Sequence, residues 1–482
     1  MLFNSYVFIF ALLPITLLVW YSLNHFHQYT ISKICLVVSS LVFYAYFHLS
    51  YLWIILSSIL VNYLLGRILT SNRSDKLRKS AMIVGILANL GVLGYFKYFN
   101  FFLQNVNLIF KTNISLLPIV LPLGISFFTF QQLSYVIDCY KKDVPNYNFL
   151  DYALFVSFFP QLIAGPIVLH SEIVPQFADA SKKKFNSDYF AKGLTAFAFG
   201  LAKKVLIADT LGIFVNDGYA SLSSLSSLQA LITILGYTLQ IYFDFSGYCD
   251  MATGIASMFN IELPMNFNSP YKSLDILDFW KRWHLTLTRF FTHYIYYPLG
   301  GNRRGKARTY LNVFIVFFIS GLWHGAGYTF ILWGILHGLA SIFCRIFKKP
   351  MESIPKAIRW GVCFVFLNAT WVIFRAEKLS DVFLLYRRLF AGGSGITATL
   401  STALEKNVVN NLMMNIGLPN HTVLYILGVL LLALLMSVLL KNTNERIRSF
   451  KPNFPTFCAV TILLTLSILS LSGVSTFLYF NF

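Results

Sequence analysis

Charged side chains make up only 12% of this chain, about half of the ~25% that a soluble domain carries. That shortage excludes an ordinary soluble globular protein. Acidic residues are the scarcer sign, 19 against 38 Lys and Arg, for a formal net charge of +19. Cysteine is sparse too: Cys35, Cys139, Cys249, Cys344, Cys363 and Cys458 form no CxxC pair and close no short loop. Neither a disulfide framework nor a thiolate metal site is expected, and the thiols read as inert core groups. HExxH and helix-spaced His/Asp pairs are missing, so no metal site and no bound cofactor are expected. Gly300-Gly301-Asn302-Arg303-Arg304-Gly305 lacks the Lys-Ser/Thr pair and the preceding strand of a phosphate-cradling P-loop. No Lys or Arg precedes Lys33, so the basic region of a cleavable leader is lacking and the first apolar segment is expected to be retained.

What the chain does have is apolar surface: 57% hydrophobic and 17% aromatic residues. Runs long enough to cross a ~30 Å hydrocarbon core recur from Tyr6 onward. The expected architecture is an all-α polytopic membrane protein, one integral domain over residues 1–482, with about ten crossings. These are read at 5–23, 32–47, 49–66, 80–96, 114–138, 190–215, 229–259, 358–374, 422–440 and 457–479. Two further elements are broken. Residues 150–170 carry Pro160, Gly165 and Pro166 within an apolar run, which interrupts helix hydrogen bonding. Residues 310–345 would span about 54 Å as one helix, too long for a single crossing, so a hairpin bending at Gly321 to Gly327 is expected. Lys and Arg fall in short loops, including residues 67–79, 260–308 and 441–451. Such loops are cytoplasmic by the positive-inside rule, which leaves both termini outside and makes nucleic acid an unneeded partner. Residues 377–421 read as an external loop, with a short helix over Asp381 to Phe390 capped by Ser380 and ended by Ala391-Gly392-Gly393.

Against this apolar background the ionisable groups are conspicuous. Gly321-Leu322-Trp323-His324-Gly325-Ala326-Gly327 places an imidazole in one of the most apolar stretches. An intramembrane histidine is a functional candidate, with a hydrogen-bonded packing role as the alternative. His284 lies in Asp278-Phe279-Trp280-Lys281-Arg282-Trp283-His284, which reads as an amphipathic helix at the cytoplasmic interface with Trp280 and Trp283 as belt anchors. Structural and catalytic roles stay open for it. His25, His27, His48, His170 and His421 lie near expected span ends, where an amphipathic ring is comfortable. His337 would face about 220° away from His324 on a continuous helix. Asp244, Ser246 and Asp250, with Lys203, Lys204 and Asp209, sit at membrane depth and imply buried ion pairs or a polar interior. Arg303 and Arg304 present a basic turn suited either to topology or to the phosphates of a nucleotide-containing donor.

The chain resembles the membrane-bound O-acyltransferases, in particular the alginate O-acetyltransferase branch that also modifies peptidoglycan and cellulose. The resemblance rests on ordered motifs spread over nearly the whole chain: Leu121-Pro-Leu-Gly-Ile-Ser126, Ser134-Tyr-Val-Ile-Asp138, Phe158-Phe-Pro-Gln-Leu-Ile-Ala-Gly-Pro166 and Tyr242-Phe-Asp-Phe-Ser-Gly-Tyr248. Phe279-Trp-Lys-Arg-Trp-His284, Tyr297-Pro-Leu-Gly-Gly-Asn-Arg303 and Gly321-Leu-Trp-His-Gly325 continue the series. It implies that His324 is the catalytic histidine and His284 its companion, within a ring of helices around a tunnel. One departure is Thr292-His293-Tyr294, where relatives often carry an Arg-Asp pair, so no role is carried over to His293.

The implied reaction moves an acetyl group from a cytosolic thioester, acetyl-CoA or a relative, toward hydroxyls of an exported polysaccharide, directly or through an extracytoplasmic acetyltransferase partner. A neutral His324 would act as general base, worth ~10² to 10⁴ in rate. His284, Trp283 or Asn302 would orient the donor or steady the oxyanion, and Arg303, Trp323, Asp244, Ser246 and Asp250 are further candidates for donor or substrate contact. The rivals are a transporter or flippase of a lipid-linked saccharide, which shares broken spans and buried charges, and a protein or peptide O-acyltransferase. A bacterial cytoplasmic membrane is the expected location.

Overall fold

The structure, a computed structural model, describes residues 1–396, 400, 422–471 and 477–478. Among these residues all regular structure is helical. The chain divides into two compact units, Met1–Phe197 with Met251–Pro264, and Ala198–Asp250 with Met265–Phe482.

The first unit begins with a π-turn, Phe8–Leu12, leading into α1 (Leu13–His25), followed by α2 (Tyr29–Ala45), α3 (Tyr51–Thr70) and α4 (Asp75–Leu93). Helix α4 starts where Ser74 Oγ accepts the Leu77 amide at 3.5 Å, a side-chain N-cap. It then runs through a π-turn at Gly94–Tyr98 into α5 (Phe99–Phe110), about 54 Å of helix in all. The expected span at 80–96 is therefore only part of a longer rod. The span expected at 114–138 is instead α6 (Ile125–Lys141). Pro118 and Pro122 precede it, and Gly124 enters it at φ 72°, a left-handed geometry that glycine adopts without strain. The break expected in 150–170 is present: α7 (Phe149–Ser157), α8 (Phe159–Leu162) and α9 (His170–Ala178) replace one helix. Residues 152–168 are all buried, so the irregular backbone is shielded by protein, as an apolar setting requires. His170 is no span-end histidine: it is buried, with Nε2 3.2 Å from Asp138 Oδ2 and Nδ1 3.1 Å from the Tyr147 hydroxyl.

The chain passes between the units within α10 (Ser187–Ala202) and α12 (Ser227–Met258), with α11 (Asp209–Ala220) between them. The second unit adds α13 (Ile276–Trp280), α14 (Leu285–Phe291), α15 (Gly305–His324), α16 (Tyr328–Ile346), α17 (Lys348–Glu352), α18 (Lys356–Arg375) and α19 (Leu379–Leu389), then helices at Thr422–Val438 and Phe454–Leu469. Helix α19 is capped at Lys378, whose amide donates to Asp381 Oδ2 at 3.2 Å, so the cap expected at Ser380 moves back by two residues. Most of the expected external loop, residues 397–399 and 401–421 with His421, lies outside the described residues.

Among the described residues five helices are long and apolar enough to cross a bilayer: Phe8–His25, Tyr51–Thr70, Asp75–Phe110, Tyr328–Ile346 and Lys356–Arg375. Tyr29–Ala45, Val423–Val438 and Phe454–Leu469 are apolar but shorter. Among the described residues the protein is therefore all-helical, with helices of the length and apolarity that membrane spans need. The remaining expected spans carry too much polarity to qualify on composition; α12, for example, buries Gln229, Gln240, Asp244 and Asp250 against protein rather than lipid.

Candidate active site

The over-long apolar run at 310–345 is a hairpin. Helix α15 ends at His324, Gly325 and Gly327 are extended, and α16 starts at Tyr328. The two helices pack backbone to backbone through glycine. A Cβ built on Gly334 would lie 2.5 Å from the Phe317 carbonyl oxygen and 3.1 Å from Gly321 Cα. No larger residue fits there without parting the helices.

This close approach sets His324 in a cage of aromatic edges. Its ring, 3% exposed, meets Trp323 at 4.9 Å, Trp333 of α16 at 5.1 Å and Phe374 of α18 at 5.1 Å between centroids. As the last residue of α15 it also sits at the negative end of the helix dipole, which favours an imidazolium as it forms.

His284 is placed by a different device. The expected interface helix does not form: α13 stops at Trp280, α14 starts at Leu285, and His284 between them adopts φ 47°, ψ 54°. Trp280 and Trp283 are buried rather than anchored in a belt, because Trp283 packs on Phe279 at 5.6 Å and Trp371 at 4.9 Å. A left-handed non-glycine residue is uncommon and costs conformational energy, and such strain gathers at functional sites. The His284 ring is fully buried, meets Phe245 at 4.9 Å and Trp323 at 6.2 Å, and places Nδ1 3.1 Å from Asn266 Oδ1. Burial pushes its pKa down to about 3, because charging the ring away from water is costly. Trp323 therefore touches both histidines.

His337 does not face away from this cluster. The helix break turns α16 so that His324 and His337 both pack on Trp333, the latter at 4.7 Å. Both ring nitrogens of His337 are engaged. The Trp280 indole donates to Nδ1 at 3.3 Å, and Nε2 lies 3.1 Å from Thr370 Oγ1. Since an indole nitrogen only donates, Nδ1 accepts and Nε2 carries the proton, which makes His337 a satisfied packing histidine.

A cavity of about 820 Å³ opens beside the hairpin. Lys281, Lys306, Arg345 and Lys348 stand among its polar lining, and Trp280, Phe317 and Ser320 line it too. Lys306 and Ser320 both line it, and they are about 21 Å apart along α15 at 1.5 Å per residue. Ser320 precedes His324 by one helical turn. Asn302 lines the cavity while Arg303 and Trp283 do not. The turn carrying Asn302 has left-handed Gly300 and Gly301 (φ 101° and 54°), and Asn312 pins it by donating to the Gly301 carbonyl at 2.9 Å.

The charges on α12 find the expected partners. Lys203 meets Asp250 at 2.6 Å, and Lys204 lies 2.7 Å from both Asp244 and Asp209. Thr443 Oγ1 donates to Asp250 at 2.6 Å. Asp244 and Asp250 thus serve in a buried ionic network, Ser246 is buried beside them, and the α12 residue that reaches a histidine is Phe245. The residues that sequence reasoning missed are Asn266, Phe245, Trp333, Phe374 and Ser320.

Residues 140–380 match the membrane-bound O-acyltransferase family. The chain is 41% identical to the peptidoglycan O-acetyltransferase of Helicobacter pylori over 518 aligned residues, covering 100% of this chain and 98% of the relative. The chain belongs to the membrane-bound O-acyltransferase family. It is accordingly an acyltransferase. The probable alginate O-acetylase AlgI of Pseudomonas aeruginosa is 38% identical over 411 residues, 84% of this chain and 77% of the relative. The teichoic acid D-alanyltransferase of Bacillus subtilis is 27% identical over 238 residues, 47% of this chain and 60% of the relative.

Proposed function

We propose that this membrane acyltransferase moves an acetyl group from a cytosolic thioester, acetyl-CoA or a related donor, to hydroxyls of an exported polysaccharide at the bacterial cytoplasmic membrane. Peptidoglycan is the favoured acceptor, because similarity to the peptidoglycan O-acetyltransferase extends over the whole chain, ahead of alginate and cellulose. Transfer is direct or passes through an extracytoplasmic acetyltransferase partner. About ten crossings and two broken elements around a tunnel are the arrangement this reading requires.

The observation that carries the reading is the cavity whose lining at Ser320 lies one turn of α15 before His324. An elongated thioester arm entering among Lys281, Lys306 and Lys348 would deliver its carbonyl to the end of that helix. His324 takes the proton of the acceptor hydroxyl as its oxygen bonds to the thioester carbon. The tetrahedral intermediate collapses, the C–S bond breaks, and the imidazolium returns the proton to the departing thiolate. The aromatic cage excludes water that would hydrolyse the thioester.

Purified protein in liposomes, given donor labelled on the acetyl group and a disaccharide-peptide acceptor, tests the proposal. Release of free thiol with label on the acceptor is the expected result. Movement of intact saccharide across the bilayer without thioester cleavage would instead establish a flippase, and label on an added peptide hydroxyl would establish a peptide acyltransferase.

A further inference from the structure

Asn266 lies at the centre of the hydrogen bonds that shape the His284 loop. Its side-chain oxygen lies 3.2 Å from the Thr286 amide and 2.8 Å from Thr286 Oγ1, and its Nδ2 faces Cys249 Sγ at 3.3 Å. A backbone N–H only donates, so the atom receiving it is the amide oxygen and not its nitrogen. That same oxygen lies 3.1 Å from His284 Nδ1. An oxygen acceptor requires Nδ1 to carry the proton, and a neutral imidazole has one N–H, so Nε2 bears the lone pair. Backbone bonds hold the arrangement in register: Leu285 N donates to Asn266 O at 3.0 Å and Asn268 N to Arg282 O at 2.9 Å. Asn442 Nδ2 ties the loop down through Asn268 Oδ1 at 3.1 Å and Ser269 Oγ at 3.0 Å.

We propose that Asn266 is a positioning residue that fixes the Nδ1–H tautomer of His284, so that His284 accepts a hydrogen bond from an O–H or N–H of the bound substrate and does not donate to the oxyanion. This rests on the acyl-transfer reading above. An oxyanion is stabilised by N–H donors aimed at it, whereas a lone pair would repel it. His284 therefore orients a proton-bearing group of the substrate, while the hydroxyl proton passes to His324 and on to the thiolate. The rings around His284 belong to Phe245, Phe267 and Trp323. Cys249, reached through the Asn266 amide, is a titratable group on that side, next to the Asp250 carboxylate paired with Lys203, and His324 stands on the far side of Trp323.

The test measures kcat and KM of Asn266→Leu and Asn266→Asp in proteoliposomes between pH 6 and 8.5, beside His324→Ala. Leucine keeps the volume and removes the acceptor, and it is expected to lower kcat by about 10²-fold at every pH. Aspartate still accepts from Nδ1–H but stabilises the imidazolium. It is expected to move the acid limb of the profile to higher pH than in the parent protein, with activity falling more steeply as pH drops from 8 to 6. In a His284→Gln background Asn266→Leu is expected to cost less than about twofold more, since the histidine it serves is gone. Equal losses in both backgrounds, or an Asn266→Asp profile parallel to the parent's, would overturn the proposal; the aspartate profile decides if the leucine variant fails to fold. Parent-like turnover by His324→Ala would overturn the base role of His324 instead, and a parent protein that transfers no acetyl would overturn the acyl-transfer reading.

Discussion

Gly334→Ala is the sharpest perturbation of the hairpin that carries His324. The added Cβ would stand 2.5 Å from the Phe317 carbonyl oxygen, where ordinary contact begins at 3.4 Å, so α15 and α16 must part locally by about 0.9 Å. The obstacle is backbone on the facing helix, which cannot swing aside as a side chain can. Overpacking of this kind costs about 1–3 kcal/mol. The chemical penalty is larger, because a displacement near 1 Å of a reacting group can cost ~10²-fold in rate. Trp333 next to Gly334 forms one wall of the His324 cage, so the displacement acts directly on that ring. Gly361→Ala is the matched control: it also lies within a helix, and a Cβ there meets nothing within 4 Å. Acetyl transfer in proteoliposomes and thermal unfolding in detergent would be measured for both. Gly334→Ala should lose most of its turnover and several degrees of Tm while Gly361→Ala keeps both. Equal behaviour of the two variants would refute the argument.

Three further outcomes follow from other parts of the second unit. Val316→Trp, on the cavity lining, should raise the KM for the thioester donor at least tenfold while Tm stays within a few degrees; an unchanged KM would remove the cavity from the donor's path. Lys204→Met removes a cation 2.7 Å from the buried Asp244 carboxylate and should destabilise by about 3–5 kcal/mol, with Asp244→Asn restoring part of the loss; a stable single variant would contradict the ionic network. His284 has a folded pKa near 3 against ~6.5 when unfolded, so below about pH 6.5 only the unfolded state gains the proton. Its contribution is intact above that pH and falls by about 1.4 kcal/mol per unit below it. Tm should therefore drop more between pH 7.5 and 5.5 for the parent protein than for His284→Gln, and equal drops would disprove the shift.

The parts of this fold that are legible in sequence are those in which a local pattern meets a length limit. The run at 310–345 is too long for one crossing and has three glycines around its middle, so the hairpin follows. Pro160 and Gly165 mark the other break in the same way. The start of α6 was misplaced because apolarity alone carried the expected span back through Pro118 and Pro122. The larger losses concern partners. Trp280, Lys281, Arg282 and Trp283 mix charge and aromatics as an interface helix does, and nothing local shows that Phe279 and Trp371 bury those rings. His337 could be set apart from His324 only by assuming a continuous helix, and the break brings both onto Trp333. Asn266 sits in a loop without periodicity, where hydrogen bonds to Thr286 and His284 arise only from the folded chain.

The central claim is that His324 accepts the acceptor hydroxyl's proton at the end of the donor cavity. Single-turnover transfer of labelled acetyl from bound thioester to acceptor, compared between the parent protein and His324→Ala at matched Tm and matched donor occupancy, tests it most directly. Donor binding should persist and transfer should slow by at least about 10²-fold, whereas transfer at the parent rate would show that the proton leaves by another group.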